Sequence, residues 1–441
     1  MTGWTTAAGY GVGLATLLIF IASLRISVPA GLVRGTLAAV VVLLCFRCHD
    51  LYRDGTAAGD FHAFHDAGRD ALAGRNPYRL KILPPDLSFN TALNPPSALP
   101  IFAVFGAMPP AVGYAAFTTA NVMLVMALGW LVPKAVGDQV PERCRLPLTL
   151  AIVGSYSCFT TLSSGQVYIL VSAAIAAALV ARRSERHWLA GSLLSLATIK
   201  PNTLLPFLVL FHKKTDLKTW AMLTLATSTL VFSLTSPPEL PGRLRAMIGR
   251  ISDCGAVGAL NDPSFANPHS ATILGVDRMA TCMGVDRSAA KGLQFVVLAA
   301  LGSVLVYGVS RGTIGEDAAV GLTSIYAVLF LYHRNGDAIL LALPLGWAVA
   351  RFLEAGPSVG DRWRAALAIG CLLFVMYVPG TPLVKLSVEY GPARSPWGSL
   401  VRLLILPAPT AALLVAFAAL LPRKGDIPRL GGRPGNRDNA N

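Results

Sequence analysis

Gly59-Asp60-Phe61-His62-Ala63-Phe64-His65-Asp66-Ala67-Gly68-Arg69-Asp70-Ala71-Leu72-Ala73-Gly74-Arg75-Asn76-Pro77-Tyr78 is the most charged run in the first half of a chain that is otherwise largely lipid-soluble. Its apolar positions Phe61, Phe64, Gly68, Ala71 and Leu72 fall at helical spacing, and His62, Asp66, Arg69 and Asp70 fall on the other side. Asp60 stands where a helix N-cap would stand, and Gly74 with Pro77 supplies a stop. The pattern predicts a short amphipathic helix lying at a membrane surface and introduced by a carboxylate. Asp60 is then either only the cap of that helix or a working acid, and the stretch alone leaves both open.

The rest of the chain supplies the membrane. Only 14% of its residues are charged, against roughly 25% in soluble proteins. The apolar residues also come in blocks, which a soluble core would not require. The fold class expected is an all-α multi-pass membrane protein. The formal charge of +14 is spread over many loops, with no basic run interleaved with aromatics. Nucleic acid is therefore not the expected partner; anionic lipid headgroups and lipid phosphates are. The seven cysteines show no CxxC and no metal-type spacing. Cys254 and Cys282 share one long loop and could pair if that loop is extracytoplasmic.

Apolar blocks near 9–24, 35–46, 96–132, 148–162, 166–180, 188–211, 220–234, 293–310, 318–332, 338–352, 365–378 and 400–421 read as spans. No Lys or Arg precedes the first block, so it reads as a retained span and not a signal peptide. The block 188–211 is interrupted by Lys200-Pro201-Asn202 and reads as a hairpin of two short helices with Lys200 at its tip. The basic short loops at 25–34, 134–145, 182–187 and 212–218, with the tail 423–441, are all cytoplasmic at once if the N-terminus is outside. The tail is rich in Gly and Pro and reads as disordered. This arrangement gives about 11–13 crossings. It puts Asp60, Gly165-Gln166, the long loop 236–291 and Tyr332-His333-Arg334-Asn335-Gly336-Asp337 on one outer face, with Lys200 pointing there too. The localisation expected is the plasma membrane, with the active face extracytoplasmic.

That face would combine carboxylates, cations, imidazoles and amides. Ionisable groups at a membrane edge are costly, which makes them functional candidates; for Lys200 the alternative is simple snorkelling. Asp60, His62, His65 and Asp66 are the only candidate metal ligands, but their spacing matches no ligand motif and no HExxH is present. No G-x-S-x-G, reactive-Cys context or P-loop occurs, so no cofactor is expected. Glycosyl transfer from a lipid-phosphate sugar needs one carboxylate to take a hydroxyl proton, cations or amides for the departing phosphate, and apolar spans for the lipid tail. The sequence offers each of these on one side.

Asp60-Phe61, Ala67, Gly74…Pro77-Tyr78, Pro95-Pro96, Gly165-Gln166, Lys200-Pro201, Asn267-Pro268-His269-Ser270 and His333-Arg334…Asp337 form an ordered series. The series resembles glycosyltransferase family 87, polyprenol-phosphate-sugar-dependent enzymes of the GT-C fold that include mannosyltransferases of mycobacterial lipid glycan assembly. It runs from about residue 35 to about residue 350. The resemblance implies Asp60 as general base, with the Gly165-Gln166 turn and the Lys200-Pro201 tip lining the donor site. Three positions depart from the family's habit: Tyr168 stands two residues after the Gln where Asn is common, Asn94 precedes Pro95-Pro96 where an aromatic is common, and His333-Arg334 stands where mannose-using members tend to have paired histidines. On this reading residues 1–30 are an added N-terminal segment, 31–422 the GT-C-like domain and 423–441 the tail.

The expectation is an inverting membrane glycosyltransferase. It would move a hexosyl (including mannosyl) or pentosyl residue from a polyprenyl phosphate to a glycolipid or cell-envelope glycan in the outer leaflet. Lys200, Arg334 and His333 are the expected phosphate ligands, and Gln166, Asn267, His269, Tyr78 and Asp337 the positioning residues. The rivals are a lipid or solute transporter, against which the missing internal repeat counts, and a non-catalytic assembly subunit.

Overall fold

A computed structural model describes residues 3–53, 55, 59–78, 94–211, 214–233, 240–254, 256–259, 261–331, 333–354, 358–390 and 395–422. The tail and Tyr332 lie outside these. Among the described residues the chain is helical, with one isolated antiparallel bridge between Ile273 and Arg334.

The first part comprises α1 (Gly3–Ser23), α2 (Ala30–Arg53), α3 (Gly59–Leu72), α4 (Leu99–Gly106), α5 (Pro110–Ala135), α6 (Glu142–Val153), α7 (Tyr156–Ser164), α8 (Tyr168–Arg183) and α9 (His187–Ala197). After a break come α10 (Pro201–Leu204), continued by a 3-10 turn to Leu210, then α11 (Lys214–Ser233) and α12 (Leu240–Cys254). The second part comprises α13 (Val276–Cys282), α14 (Arg287–Ser310), α15 (Glu316–Leu329), α16 (Ala342–Leu353), α17 (Val359–Tyr377), α18 (Gly380–Tyr390), α19 (Pro396–Leu400) and α20 (Ala408–Leu420).

Among the described residues, five helical stretches are long and apolar enough to cross a bilayer, or up to seven if each of two bent pairs is one span. The 26 residues of α5 reach about 39 Å, enough for a hydrocarbon core of about 30 Å with tilt. Large apolar side chains stand exposed on the outer helices, among them Leu18 and Phe46 on α1 and α2 and Phe295, Val296 and Tyr307 on α14. In water such a surface would aggregate; in lipid it is the favoured solvent contact. This is a multi-pass membrane protein. The 3-10 turn 335–341 with α16 is the innermost stretch, 83% buried in its apolar window, and α15 packs beside it.

The block expected near 148–162 is bent by 48° between α6 and α7. Ser155 makes the bend by capping α7, its Oγ accepting the Cys158 N–H at 3.2 Å. The segment 188–211 is broken after α9, as its Lys-Pro-Asn interruption requires. The first helix packs on the bundle: Thr16 Oγ1 meets the Tyr377 hydroxyl at 3.0 Å, and that hydroxyl donates to Ala151 O at 2.8 Å.

Two expectations about α3 are corrected. Asp60 is not the cap but lies inside the first turn, because the helix begins at Gly59. Nor is its apolar face left for lipid. Phe61, Phe64, His65, Gly68 and Asp70 are all buried, while Leu72, expected on the greasy side, is exposed. Gly68 and Gly106 are the reason: a Cβ on Gly68 would lie 2.1 Å from Phe102 O, and one on Gly106 would lie 2.5 Å from Arg69 N. Two glycines let α3 and α4 touch backbone to backbone, so protein covers the helix where lipid was expected.

Cys254 and Cys282 are separate buried thiols. The long loop is instead tied down by charge. Arg278, 1% exposed, donates to Pro263 O at 2.9 Å and Ser387 Oγ at 3.1 Å, and stacks over Phe265. Asp262, fully buried, accepts from Gly258 N–H at 2.7 Å and pairs with Arg287 at 3.1 Å.

Candidate active site

The site is assembled by three chain reversals and one helix start. The first is the turn after α7. Gly165 has φ +72°, a conformation open to glycine, and ends α7 so that Gln166 follows it. A Cβ on Gly165 would stand 2.4 Å from Phe61 Cβ and 3.1 Å from Phe61 N. The absent side chain therefore lets the start of α3 press against this turn and sets Asp60 beside Gln166. The Gln166 side chain hydrogen-bonds the Asp60 carboxylate, and the Gln166 Oε1 is buried without a partner, so the bond comes from the amide N–H.

The second is the break between α9 and α10. Lys200 leaves α9 here and sends its Nζ to 3.2 Å from the centroid of the Tyr168 ring and 3.4 Å from Asp337 Oδ1. Tyr168, a departure from the family habit in the sequence, is thus the cation–π floor beneath Lys200. Asn94, the other departure, donates to Ile199 O at 2.9 Å and accepts from the Tyr78 hydroxyl at 3.2 Å on its backbone carbonyl. Tyr78 is buried and acts through this chain, holding the stretch after α3 against the Lys200 break.

The third is the turn 333–337. Leu274 N–H donates to His333 O at 2.9 Å, which ties the long loop to it. Asp337 Oδ2 accepts the Arg334 N–H at 2.8 Å and lies 3.0 Å from His333 Nδ1, without the angle of a hydrogen bond. Asp337 is 3% exposed and engaged from three sides. Its carboxylate serves as an internal counter-ion to Lys200. His333 is fully buried, its Nε2 3.3 Å from Asn202 Nδ2. Asn267 is likewise turned inward: its amide donates to Asp262 O at 2.9 Å and accepts His269 N–H at 3.0 Å, ordering the loop. His269 remains exposed. Partial desolvation first, then the Arg334 guanidinium nearby, lower its pKa and keep its imidazole neutral.

Asp60 sits within the reach of the Lys200 and Arg334 charges. Burial pushes its carboxyl above the usual range. The Gln166 hydrogen bond and the two cations pull it back, and Asp337 opposes them slightly. An acid so placed combines two properties a proton acceptor needs: raised basicity and a counter-charge nearby.

The four polar features expected on one face do converge. The basic loops converge as well, at the other end of α8: Arg183 Nε donates to Ala135 O at 3.1 Å, Gln139 donates to Asp317 at 2.9 Å, and Arg182 and Arg183 pair with Glu316 and Asp317. The 16 residues of α8 separate the two ends by about 24 Å. The histidines near Asp60 have protein partners: His65 Nε2 lies 2.9 Å from Met108 O, and His62 stacks on Tyr52.

A helical membrane bundle with an acid, an amide and two cations gathered at one end is the class defined so far. A protein-family model describing glycosyltransferase family 87 matches residues 92–344. That is more than half of the 441 residues, and the chain belongs to this family. It is a glycosyltransferase. The match holds Gln166, Lys200, Asn267, His269, His333, Arg334 and Asp337, while Asp60 and Tyr78 precede it. No curated protein and no solved structure matches the chain.

Proposed function

We propose that this glycosyltransferase transfers a hexosyl or pentosyl residue from a polyprenyl-phosphate sugar to a glycolipid or envelope glycan acceptor, with inversion at the anomeric carbon. The observation that carries the reading is the convergence of Asp60, Gln166, Lys200 and Arg334 at one end of an otherwise apolar bundle. The Asp60 carboxylate takes the proton of the acceptor hydroxyl as its oxygen attacks the anomeric carbon. The bond from that carbon to the phosphate oxygen breaks, and the electron pair leaves with the lipid phosphate. The phosphate then carries one more negative charge, which Lys200 and Arg334 offset. Gln166 holds the base, His333 and Asp337 set the cations, and the exposed apolar helix faces give the polyprenyl chain its surface. The transferred sugar is mannosyl in the resemblance; the residues themselves support the wider class. The site end faces outward from the plasma membrane and the Arg182–Arg183 end faces the cytoplasm.

The test is incubation of purified protein with labelled polyprenyl-phosphate sugars and native lipid extract. Transfer by the wild type, its loss in Asp60→Asn, and retained donor binding are expected. Normal turnover by Asp60→Asn would refute the base assignment.

A further inference from the structure

Asn335 is 3% exposed, yet neither its Oδ1 nor its Nδ2 has a hydrogen-bond partner. A carboxamide offers two donors and an acceptor, and dry burial of all of them is among the costlier choices a protein can make. A leucine of similar size would fill the position without that cost. Its location is specific: it lies between Arg334 and Asp337, both already placed at the site. A Cβ on Gly380, at the start of α18, would come within 3.4 Å of Asn335 Nδ2, 3.1 Å of Thr272 Cγ2 and 3.6 Å of the Tyr156 hydroxyl. The amide thus lies at a close junction of the 335–341 turn, α18, the end of the long loop and the start of α7, where Gly380 packs without a side chain. Nearby on the loop, Ser270 Oγ is also fully buried without a partner. Two polar side chains on different segments lack partners in the same neighbourhood.

We propose that Asn335 is a specificity-determining residue that binds a vicinal diol of a sugar. One hydroxyl donates to Oδ1 while its neighbour accepts from Nδ2, a match that a carboxamide makes with both ends at once. The proposal rests on the transfer of a sugar from a lipid phosphate, and it concerns the donor's or the acceptor's ring. Removing one of the two hydroxyls leaves an amide end unsatisfied in the complex, so the residue rejects the deoxy analogue.

The experiment uses full-length purified protein, wild type and Asn335→Leu, which removes the amide at similar volume, with Asn335→Ala as a second variant that removes the amide together with its volume. In one arm the donors are polyprenyl-phosphate hexoses lacking single ring hydroxyls. In the other arm the acceptor glycolipid lacks them. Wild type is expected to disfavour one deoxy compound in one arm by about 10–100-fold in kcat/KM, and both variants to shrink that preference below about threefold. The arm that responds identifies the ring. Without substrate, Asn335→Leu is expected to raise the thermal midpoint by about 1–3 °C, because two unpaired polar groups leave the interior. An unchanged preference in both variants, or a lowered midpoint in Asn335→Leu, overturns the proposal; the latter would mean that the fold itself satisfies the amide. Wild type inactive with every donor would instead sink the donor assignment, and the midpoint would still decide the case of Asn335.

Discussion

Gly165→Ala tests whether one missing methyl group aligns the site. Two costs follow from the structure. The backbone at φ +72° is disfavoured for alanine by roughly 1–2 kcal/mol. The new Cβ would also stand 2.4 Å from Phe61 Cβ, where carbon atoms rest at about 3.5–4.0 Å. The turn and the start of α3 must therefore part by about 1 Å, carrying Asp60 away from Gln166. A displacement of that size at a reacting group lowers turnover by about 100-fold, close to 2.7 kcal/mol in the barrier. Gly74→Ala is the control. Gly74 has φ +69° and nothing within 4 Å of a built Cβ, so it pays the same backbone strain without moving anything. Transfer of labelled sugar by purified proteins, read beside their thermal midpoints, separates the effects. Gly74→Ala should lose about 1–2 kcal/mol of stability and no turnover, whereas Gly165→Ala should lose more stability, through the added clash, and turnover as well. A folded Gly165→Ala protein within threefold of wild type, or equal rate losses in both variants, would refute the reasoning.

Lys200→Met should abolish most transfer and cost about 3 kcal/mol of stability in chemical denaturation, because Asp337 is left buried without its ammonium. Adding Asp337→Leu should restore much of that stability and none of the activity; restored activity would remove Lys200 from the reaction. The raised Asp60 carboxyl should place the acid limb of the kcat/KM profile above the ordinary carboxylate value of about 4. The linkage runs the same way: the folded protein keeps this proton to higher pH than the unfolded chain, so its contribution to stability declines as pH rises through that window. Asp60→Asn should therefore have an equal or higher thermal midpoint at neutral pH while losing transfer, and a clear drop in midpoint would contradict the burial argument. For sidedness, cysteines introduced by His269→Cys and by Glu185→Cys, each in a Cys45→Ala background, should label from opposite sides of intact cells with an impermeant maleimide. Labelling from one side would end the proposed orientation.

Much of this architecture was legible because lipid solubility is a composition effect and loop charge survives in the order of residues. The convergence of Asp60, Gln166, Lys200 and Asp337 followed from counting crossings. What escaped was decided by contacts between distant segments. The burial of α3 depends on Gly68 meeting Phe102, and no periodicity in 59–78 carries that. Tyr168 read as a departure because its partner, Lys200, is 32 positions away. Asn202 and Asn335 stood in the runs singled out in the sequence, but no contact could be read for either, since an asparagine in a loop usually means a turn. Asn267 is such a turn residue, its side chain bonded within its own loop.

Asp337 bears on the end of the catalytic cycle. An ammonium with a resident carboxylate is never bare, so an arriving phosphate must displace a companion that stays tethered a few ångströms away. When the sugar has gone, that companion competes for its old place. With the lipid-phosphate donor proposed above, that competition favours release of the spent carrier into the bilayer.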